Sequence, residues 1–235
     1  MSENTELERL EGLTVPTIAN AVELFHVAPP NTGFNRAQLT CHFPDFGMAV
    51  GYAVTLTAVT DEPAVAIDEP EYWKWLEDQQ GPKLAVVEDL SPRPGGAMWG
   101  EWNSHVHRAL GCVGTVTQGA VRDLDALERL GFHTFATSVS VAHGYGAFVD
   151  FGAPATVAGL TIETGDLLVA DLHGVLRIPR EIPIPELVAA GHEIDRLESE
   201  IFAHTRSREF SVESLAQLQE SVLARWPRGP HTGAI

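Results

Sequence analysis

The sequence predicts an α/β protein, and three groups of residues support that prediction. Residues 84–87 and 113–117 are short aliphatic and β-branched runs, which are typical of buried strands. After the second run, residues 124–130 place apolar side chains at helical spacing, and Gly131 closes that helix. Residues 186–206 form a longer amphipathic pattern with aliphatic side chains on one face. Strands that lead into amphipathic helices indicate a sheet covered by helices.

The first third of the chain supplies one strand and two helical segments. Residues 5–25 have helical spacing, and Pro16, two positions after Thr14, suits the first turn of a helix. The β-rich run at residues 48–60 predicts a core strand. Within residues 61–82, acidic residues surround a tyrosine and two tryptophans. This composition predicts a short helix whose aromatic rings pack against the core rather than bind a ligand.

Residues 101–111 predict the helix that follows a glycine-rich turn. His105 and His107 are two positions apart, so a helix directs them to different faces and they do not form a metal-ligand pair. The apolar side of this helix is expected to consist of Val106, Ala109 and Leu110.

The second half of the chain adds strands and two helices. Residues 132–141 predict a strand, and residues 156–178 predict a compact antiparallel series with two tight turns. The long helix at residues 186–206 is followed by a further helix and a terminal tail within residues 207–235.

Composition narrows the class of protein. With 235 residues, of which 44% are hydrophobic, the chain can bury a sizeable core. It carries 32 acidic and 15 basic residues, for a net charge of −17, and this predicts no nucleic-acid partner. Cys41 and Cys112 lack metal-binding spacing and predict reduced thiols in a cytoplasmic protein. No apolar run approaches the roughly 20 residues of a membrane span, and the N-terminus does not resemble a signal peptide, so we expect no membrane partner.

The candidate site lies where the strand at residues 113–117 leads into the helix at residues 124–130. The intervening residues 118–121 predict a turn in which Gly119 is free to take a positive φ. Arg122 and Asp123 stand side by side there, and Glu101 begins the preceding helix. Helix N-termini at strand ends bind anions because their free N–H groups and the helix dipole point at the ligand. A guanidinium can grip a carboxylate, while a carboxylate can hold a hard cation. The residues alone leave an alternative open, in which Asp123 caps its helix and Arg122 is a surface cation.

Two further positions also leave alternatives open. Glu88 and Asp89 follow a buried strand and could bind a metal or transfer protons, although solvated turn residues are favoured. His143 lies in a glycine-rich segment that could line a site. Its imidazole could face a substrate, although a surface or structural role is favoured.

Four motifs resemble a known family: PKLAVVEDL, GGAMWGE, ALGCVGTVTQGAVRDLDAL and GLTIETGDLLVADLHGVLRIPRE. Together they are similar to the RraA-like family, which includes the class II 4-hydroxy-4-methyl-2-oxoglutarate aldolases and the regulator of ribonuclease E activity A. The resemblance spans about residues 10–200. It implies a swivelling β/β/α sandwich with C-terminal helices, in a homotrimer or a hexamer with active sites near subunit interfaces. It further implies a single RraA-like catalytic domain over residues 1–206, with a helical extension and tail over residues 207–235.

The resemblance also implies roles for individual residues. Arg122 matches the arginine that binds the substrate's carboxylate and keto oxygen, and Asp123 matches the aspartate that holds Mg²⁺ or Mn²⁺. Glu101 stands where the aldolases carry an acidic residue and the regulator-type members do not. The backbone amides of one loop would hold pyruvate, and that loop consists of Gly100, Glu101, Trp102 and Asn103.

The chain departs from the family pattern in two places. Gln118 replaces an aspartate, which alters the hydrogen bonds expected around the arginine, and Glu101 replaces an aspartate and reaches one methylene further. The family also uses a glutamate of the long helix at residues 186–206 in the neighbouring subunit's site. The candidates for that glutamate are Glu193, Glu198 and Glu200.

The predicted function is a metal-dependent lyase that cleaves a small anionic 4-hydroxy-2-oxo acid by a retro-aldol reaction and releases pyruvate. Arg122 and a divalent ion on Asp123 would stabilise the enolate, and Glu101 would take the C4-hydroxyl proton. The core stretch has no lysine, which disfavours a Schiff-base mechanism there. Oxaloacetate decarboxylation passes through the same enolate and is expected as a second activity. The alternative is a non-catalytic regulatory protein that resembles the ribonuclease E regulator and acts through its trimer surface.

Overall fold

The computed structural model of the protein describes residues 7–93 and 95–227. The α-helices in these ranges are α1 Val15–Glu23, α2 Glu69–Glu77, α3 Glu101–Ala109, α4 Leu124–Leu130, α5 Ile184–Thr205 and α6 Val212–Arg225. The strands are β1 Thr40–Cys41, β2 Ala49–Val59, β3 Lys83–Asp89, β4 Ala97–Trp99, β5 Cys112–Val121, β6 His133–Val139, β7 Ala147–Phe151, β8 Ala155–Val157, β9 Leu160–Ile162, β10 Leu167–Asp171 and β11 Gly174–Ile178. The predicted α/β class and the C-terminal helices are therefore confirmed. None of the described helices is both long and apolar enough to cross a lipid bilayer.

The chain forms two compact units. The strands and α2 to α4 belong to Gly33–Ile178, while α1, α5 and α6 belong to a unit made of Met1–Thr32 and Pro179–Ile235. In this terminal unit, α1 begins after Thr14, whose hydroxyl accepts a hydrogen bond from the Thr17 N–H, as the sequence predicts. The domain boundary at residue 206 stays a prediction.

The central unit is built around a nine-stranded sheet. Its strand order is β1-β6-β5-β3-β2-β10-β11, with β4 beside β5 and β7 beside β2. The neighbours β2, β3, β5 and β6 run parallel, as does β4, whereas β1, β7, β10 and β11 join antiparallel. Strands β8 and β9 form a separate antiparallel pair. The C-terminal ends of β3, β4 and β5 therefore face one edge of the sheet, where α/β proteins bind ligands.

Apolar side chains cover both faces of this sheet. Along β3, Leu84 and Val86 enter one core cluster, whereas Ala85 and Val87 enter the other. This alternation follows from the two-residue period of a strand. The buried strand predicted at residues 84–87 is therefore confirmed.

The segment at residues 118–121 is part of a strand, so the predicted turn was wrong. β5 continues to Val121 because β4 and β6 both pair with it in this region. The pairing with β6 changes register between Thr117 and Ala120, which identifies an irregular, bulge-like segment. Gly119 does not take the positive φ that its turn character suggested.

The buried side of α3 also differs from the prediction. Val106 and Leu110 are only partly buried and Ala109 is exposed. The buried positions are instead Ser104 and His107. The polar side chains of Ser104 and His107 can be buried here because each has hydrogen-bond partners inside the protein.

Candidate active site

Arg122 and Asp123 form the connection between β5 and α4. The Arg122 N–H donates to the Trp99 carbonyl at 2.9 Å, next to the pairing of β4 with β5. Asp123 has φ 57° and ψ 36°, a left-handed conformation that is uncommon for residues other than glycine, although aspartate and asparagine adopt it more readily than most. Such backbone outliers concentrate at functional sites, where the surrounding structure holds them in place.

The Asp123 carboxylate does not cap its own helix, which decides against the capping alternative left open by the sequence. It makes no capping hydrogen bond in α4. Its Oδ2 atom instead accepts a hydrogen bond from the Glu101 N–H of α3 at 3.0 Å. Arg122 Nε lies 3.4 Å from the same oxygen. Among the described residues nothing donates to Oδ1, so this oxygen is available to a ligand or a cation.

Gly100 allows α3 to approach this carboxylate. A Cβ atom at Gly100 would lie 2.6 Å from Asp123 Oδ2 and 3.0 Å from Arg122 Cγ. The first distance is shorter than real Cβ contacts allow. A side chain at this position would therefore displace the Asp123 carboxylate.

The first turn of α3 has two backbone N–H groups for which residues 7–93 and 95–227 provide no acceptor. The Ser104 N–H donates to the Gly100 carbonyl at 3.0 Å, and the Glu101 N–H is used by the aspartate described above. Nothing in the described part of the chain accepts from the N–H groups of Trp102 and Asn103. Free N–H groups and the helix dipole together favour an anion at this position.

Side-chain hydrogen bonds fix this end of α3. Trp99 Nε1 donates to Ser104 Oγ at 2.9 Å, and that hydroxyl donates to the Gly100 carbonyl at 2.9 Å. The side-chain amide of Asn103 donates to the Met98 carbonyl at 2.8 Å. Asn103 thus contributes its side chain to the turn and leaves its backbone N–H for a ligand.

His107 anchors the buried side of the same helix. Its Nε2 atom lies 2.7 Å from the Tyr72 hydroxyl, and its Nδ1 atom lies 2.7 Å from the Asn103 carbonyl. Burial lowers the pKa of His107 to about 4, so the ring is neutral at pH 7. His105 is exposed, so the two histidines face different environments, as their spacing predicts.

These elements surround a cleft of about 220 Å³. This is smaller than the roughly 300–1,000 Å³ of pockets for drug-sized ligands, and it suits a small molecule. The sequence-predicted residues that line the cleft are Gly100, Glu101, Trp102, Asn103, Arg122 and Asp123. The remaining lining residues are Ala97, Met98, His143 and Gly146. A second groove of about 530 Å³ shares Glu101, Arg122 and Asp123 with the cleft.

Glu101 lies where the two cavities meet. Its side chain is 55% exposed, and its Oε1 atom is 4.0 Å from Nε2 of His105. The backbone N–H of Glu101 holds Asp123, while its carboxylate remains accessible to a ligand. One residue therefore has two separable contributions to the cleft.

The oxygen donors of the cleft fit a water-rich magnesium or manganese site. The carboxylates that line it are those of Glu101 and Asp123. The described ranges contain no group of three or more histidine, cysteine, aspartate or glutamate residues that could hold a metal ion. Mg²⁺ is usually bound by one or two carboxylates together with water and substrate oxygens. Zinc sites, by contrast, generally need three or four protein ligands.

The substitution Gly100→Ala is expected to weaken binding of the divalent ion that the family resemblance predicts at Asp123, without unfolding the protein. The φ of Gly100 is −163°, which alanine can adopt, but the added methyl group has to displace the Asp123 carboxylate. We expect the affinity for Mn²⁺, measured by electron paramagnetic resonance, to fall about 10-fold or more, which corresponds to about 1.4 kcal/mol. Gly12→Ala is the control, because a Cβ there meets nothing closer than 3.7 Å. Unchanged Mn²⁺ affinity in Gly100→Ala would contradict this account of the glycine.

Glu88 and Asp89 have structural roles. Asp89 is buried and accepts hydrogen bonds from the Thr60 hydroxyl at 2.8 Å and the Ser91 N–H at 3.0 Å. Glu88 accepts from the Thr156 N–H at 2.7 Å. The favoured expectation of solvated turn residues was therefore wrong for Asp89, because its carboxylate joins neighbouring loops inside the protein.

Gln118 lies apart from both cavities. Its side-chain nitrogen donates to the Asp89 carbonyl at 3.2 Å, and its side-chain oxygen is buried without a partner among the described residues. Within those residues it makes no hydrogen bond with Arg122. The substitution at this position thus acts on the irregular segment of β5 rather than directly on the cleft.

Two of the three candidate glutamates of α5 form ion pairs within the terminal unit. Arg196 contacts Glu193 at 2.7 Å and Glu200 at 2.8 Å, and Arg225 contacts Glu200 at 2.7 Å. The third candidate, Glu198, is partly buried. A contact of one of them with a neighbouring subunit stays a prediction.

Comparison with known proteins was made for sequence and for structure. Residues 17–177 match the family model described as RraA-like, Aldolase/RraA. A protein of Halalkalibacterium halodurans named "Putative 4-hydroxy-4-methyl-2-oxoglutarate aldolase" is 32% identical over 85 residues, which are 36% of this chain and 40% of that protein. The chain covers between 14% and 50% of the length of the curated relatives that it matches.

Two solved structures share the fold over nearly the whole chain. An uncharacterized protein from Pseudomonas syringae pv. tomato has a TM-score of 0.71 at 20% identity, covering 94% of this chain and 95% of that one. Streptomyces coelicolor RraAS2, described as an unusual member of the RNase ES inhibitor RraA protein family, has a TM-score of 0.65 at 19% identity. That match covers 87% of this chain and 98% of the other. At such identities the similarity establishes the fold, and it confirms the fold expected from the four motifs.

Proposed function

Because the chain belongs to the RraA-like family, we propose that its cleft is the active site of a metal-dependent lyase for small 2-oxo acids. One observation carries the proposal. The cleft brings together the guanidinium of Arg122, an available carboxylate oxygen of Asp123, and a helix N-terminus with two N–H groups that have no acceptor among the described residues. These are the groups that a small anion and a hard cation require.

In this proposal the substrate binds through its 2-oxo acid end. The Arg122 guanidinium grips the carboxylate and the keto oxygen, and the N–H groups of Trp102 and Asn103 supply further donors. As the C3–C4 bond breaks, negative charge develops on the keto oxygen, and preorganised donors of this kind typically contribute several kcal/mol. A divalent cation held by Asp123 and water would add positive charge beside the same oxygen.

Glu101 accepts the proton of the C4 hydroxyl group. Its carboxylate is exposed at the junction of the two cavities, so a substituent on C4 can extend into the larger groove. Removal of this proton allows the C4 carbonyl to form while the bond electrons move to the enolate. Oxaloacetate has no such hydroxyl group, so its decarboxylation needs the enolate-stabilising groups but not Glu101.

A panel of 4-hydroxy-2-oxo acids and oxaloacetate, incubated with the protein and Mg²⁺ and assayed for pyruvate, tests the proposal. We expect pyruvate release from at least one hydroxy acid and from oxaloacetate. Pyruvate release from neither class would favour the alternative, in which the chain is a non-catalytic regulatory protein. The panel also identifies which C4 substituents the larger groove accepts.

Activity is expected to depend on a metal bound at Asp123. Removal of divalent ions with EDTA should abolish pyruvate release, and added Mg²⁺ or Mn²⁺ should restore it, because hard cations prefer carboxylate and water ligands. Asp123→Asn should lose both turnover and its dependence on added metal while remaining folded. Glu128→Gln is the matched control, because Glu128 is a carboxylate of α4, the helix that follows Asp123, and lines neither cavity. Full activity in excess EDTA would disprove the metal assignment.

We also propose that the protein assembles as a homotrimer or a hexamer. Large apolar side chains are exposed beside the two cavities, with Trp102 71%, Val139 55% and Val141 99% accessible. Exposed apolar groups around a polar site are typical of an interface between subunits. Light scattering should report a mass of three or six chains of 25.5 kDa each. A stable monomer at working concentration would contradict this proposal.

A further inference from the structure

One titratable side chain that lines the cleft, that of His143, has no role in the proposed lyase mechanism. His143 lies in the loop between β6 and β7 and lines the same cleft as Glu101, Arg122 and Asp123. Its imidazole makes no hydrogen bond to any part of the chain that the structure describes. The residue is exposed, in agreement with the surface position that the sequence favoured, and it also lines the cleft.

The loop that carries His143 is held by close backbone contacts. The Ala97 N–H donates to the Ala142 carbonyl at 2.8 Å, and the Gly146 N–H donates to the His143 carbonyl at 3.1 Å. Gly96 packs so tightly against this loop that a Cβ there would lie 2.5 Å from the His143 carbonyl carbon. These contacts hold the backbone of His143 in a defined position beside β4.

Thr60 connects the same loop to the sheet. Its carbonyl accepts a hydrogen bond from the Tyr145 N–H at 3.2 Å, and its hydroxyl oxygen accepts one from the Gly95 N–H at 3.0 Å. The Thr60 hydroxyl in turn donates to the buried Asp89 carboxylate at 2.8 Å. The strand-end carboxylate therefore positions two glycine-rich loops, both of which continue into residues that line the cleft.

The proposed lyase reaction needs a proton donor at C3 in addition to a base for the C4 hydroxyl group. Cleavage leaves the bond electrons on the enolate, which becomes pyruvate only after C3 gains a proton. The titratable side chains that line the cleft are Glu101, Arg122, Asp123 and His143. A guanidinium group does not release a proton in proteins, Glu101 serves the hydroxyl group, and Asp123 is assigned to the cation. An imidazole can both give and take a proton near neutral pH.

We propose that His143 is the catalytic residue that transfers a proton to C3 of the enolate. This inference rests on the proposed lyase function and adds a second proton-transfer group to it. The imidazolium gives its proton to C3, the enolate double-bond electrons form the new C–H bond, and the keto group is restored. His143 is left neutral, and solvent carries the hydroxyl proton from Glu101 back to it. The net reaction moves one proton from oxygen to carbon.

Exchange of pyruvate methyl protons with deuterium, followed by proton NMR in D₂O with Mg²⁺ present, tests His143 separately from bond cleavage. The exchange needs enolate stabilisation and proton transfer at C3, but it needs neither a C4 hydroxyl group nor Glu101. We expect His143→Gln to slow the exchange about 100-fold, within the usual size of acid–base effects. The affinity for oxalate, a planar dianion that resembles the enolate, should stay within about twofold of the wild-type value. Glu101→Gln should show the opposite pattern, with retained exchange and impaired aldol cleavage.

Tyr145→Phe is the matched control, because Tyr145 is in the same loop and does not line the cleft. His143→Asn provides a second variant. The role of His143 is judged from whichever of the two variants keeps the wild-type melting temperature. Wild-type exchange in that variant would overturn the role of His143 and leave the lyase proposal in place. Loss of oxalate affinity together with exchange would mean that His143 holds the ligand, which also overturns the proposal. A wild-type protein that neither exchanges pyruvate protons nor cleaves any 2-oxo acid would overturn the lyase function itself.

Discussion

Arg122→Lys is expected to slow aldol cleavage and oxaloacetate decarboxylation together. Both reactions pass through the same enolate, and a lysine ammonium group cannot reproduce the planar two-point grip of a guanidinium. The substitution also removes the Nε atom that lies 3.4 Å from Asp123 Oδ2. We expect kcat/KM for each reaction to fall by an amount equivalent to about 2–4 kcal/mol, as for other preorganised charge stabilisers.

Arg108→Lys is the control for this experiment. Arg108 belongs to α3, whose first turn lines the cleft, but it lines neither cavity itself. It should therefore change neither reaction to the same extent. Full oxaloacetate decarboxylation by Arg122→Lys would show that the arginine does not stabilise the enolate.

Glu101→Gln is expected to separate the two reactions. The substitution keeps the backbone N–H that holds Asp123 at 3.0 Å and removes only the capacity of the side chain to accept a proton. Aldol cleavage should fall about 100-fold or more, which is the usual size of a general-base contribution. Oxaloacetate decarboxylation should stay largely unchanged, because that substrate has no C4 hydroxyl proton to remove. Rates on a 4-hydroxy-2-oxo acid and on oxaloacetate, measured side by side, provide the comparison.

The two contrary outcomes have different meanings. Equal loss of both reactions would show that Glu101 orients the metal or the substrate instead of moving a proton. No loss of either reaction would leave it as an acidic residue in the first turn of α3 without a catalytic role.

The sequence was most informative where the structure is local. The connection of β5 to α4 and the first turn of α3 are continuous segments, so strand and helix patterns were sufficient to point to Arg122, Asp123 and Glu101. The other residues of the loop at 100–103 came from the resemblance of the motifs to a known family. Residues 118–121 were misassigned because β4, which extends β5 there, is separated from it along the chain. The buried face of α3 was misassigned because Ser104 and His107 are polar, and their partners Trp99 and Tyr72 become visible only in the fold.

Contacts between distant segments explain what the sequence did not reveal about the site. His143 lines the cleft because Gly96 and Thr60 hold its loop, and no spacing rule connects these three positions. Asp89 is the last residue of a strand, a position at which both metal-binding and solvated carboxylates occur. Only its burial and its hydrogen bond with the Thr60 hydroxyl show that its role is structural. Local patterns therefore identify part of the cleft lining, while the lining residues from more distant segments require the tertiary structure.

A crystal structure of the protein with Mn²⁺ and oxalate would test the central claim most directly, because oxalate resembles the enolate and Mn²⁺ can be located by its anomalous scattering. The proposed function predicts the manganese peak at the Asp123 carboxylate, and oxalate between the Arg122 guanidinium and the N–H groups of Trp102 and Asn103. An empty cleft at saturating Mn²⁺ and oxalate, or both ligands bound elsewhere, would contradict the assignment of this cleft as the site where the enolate is stabilised.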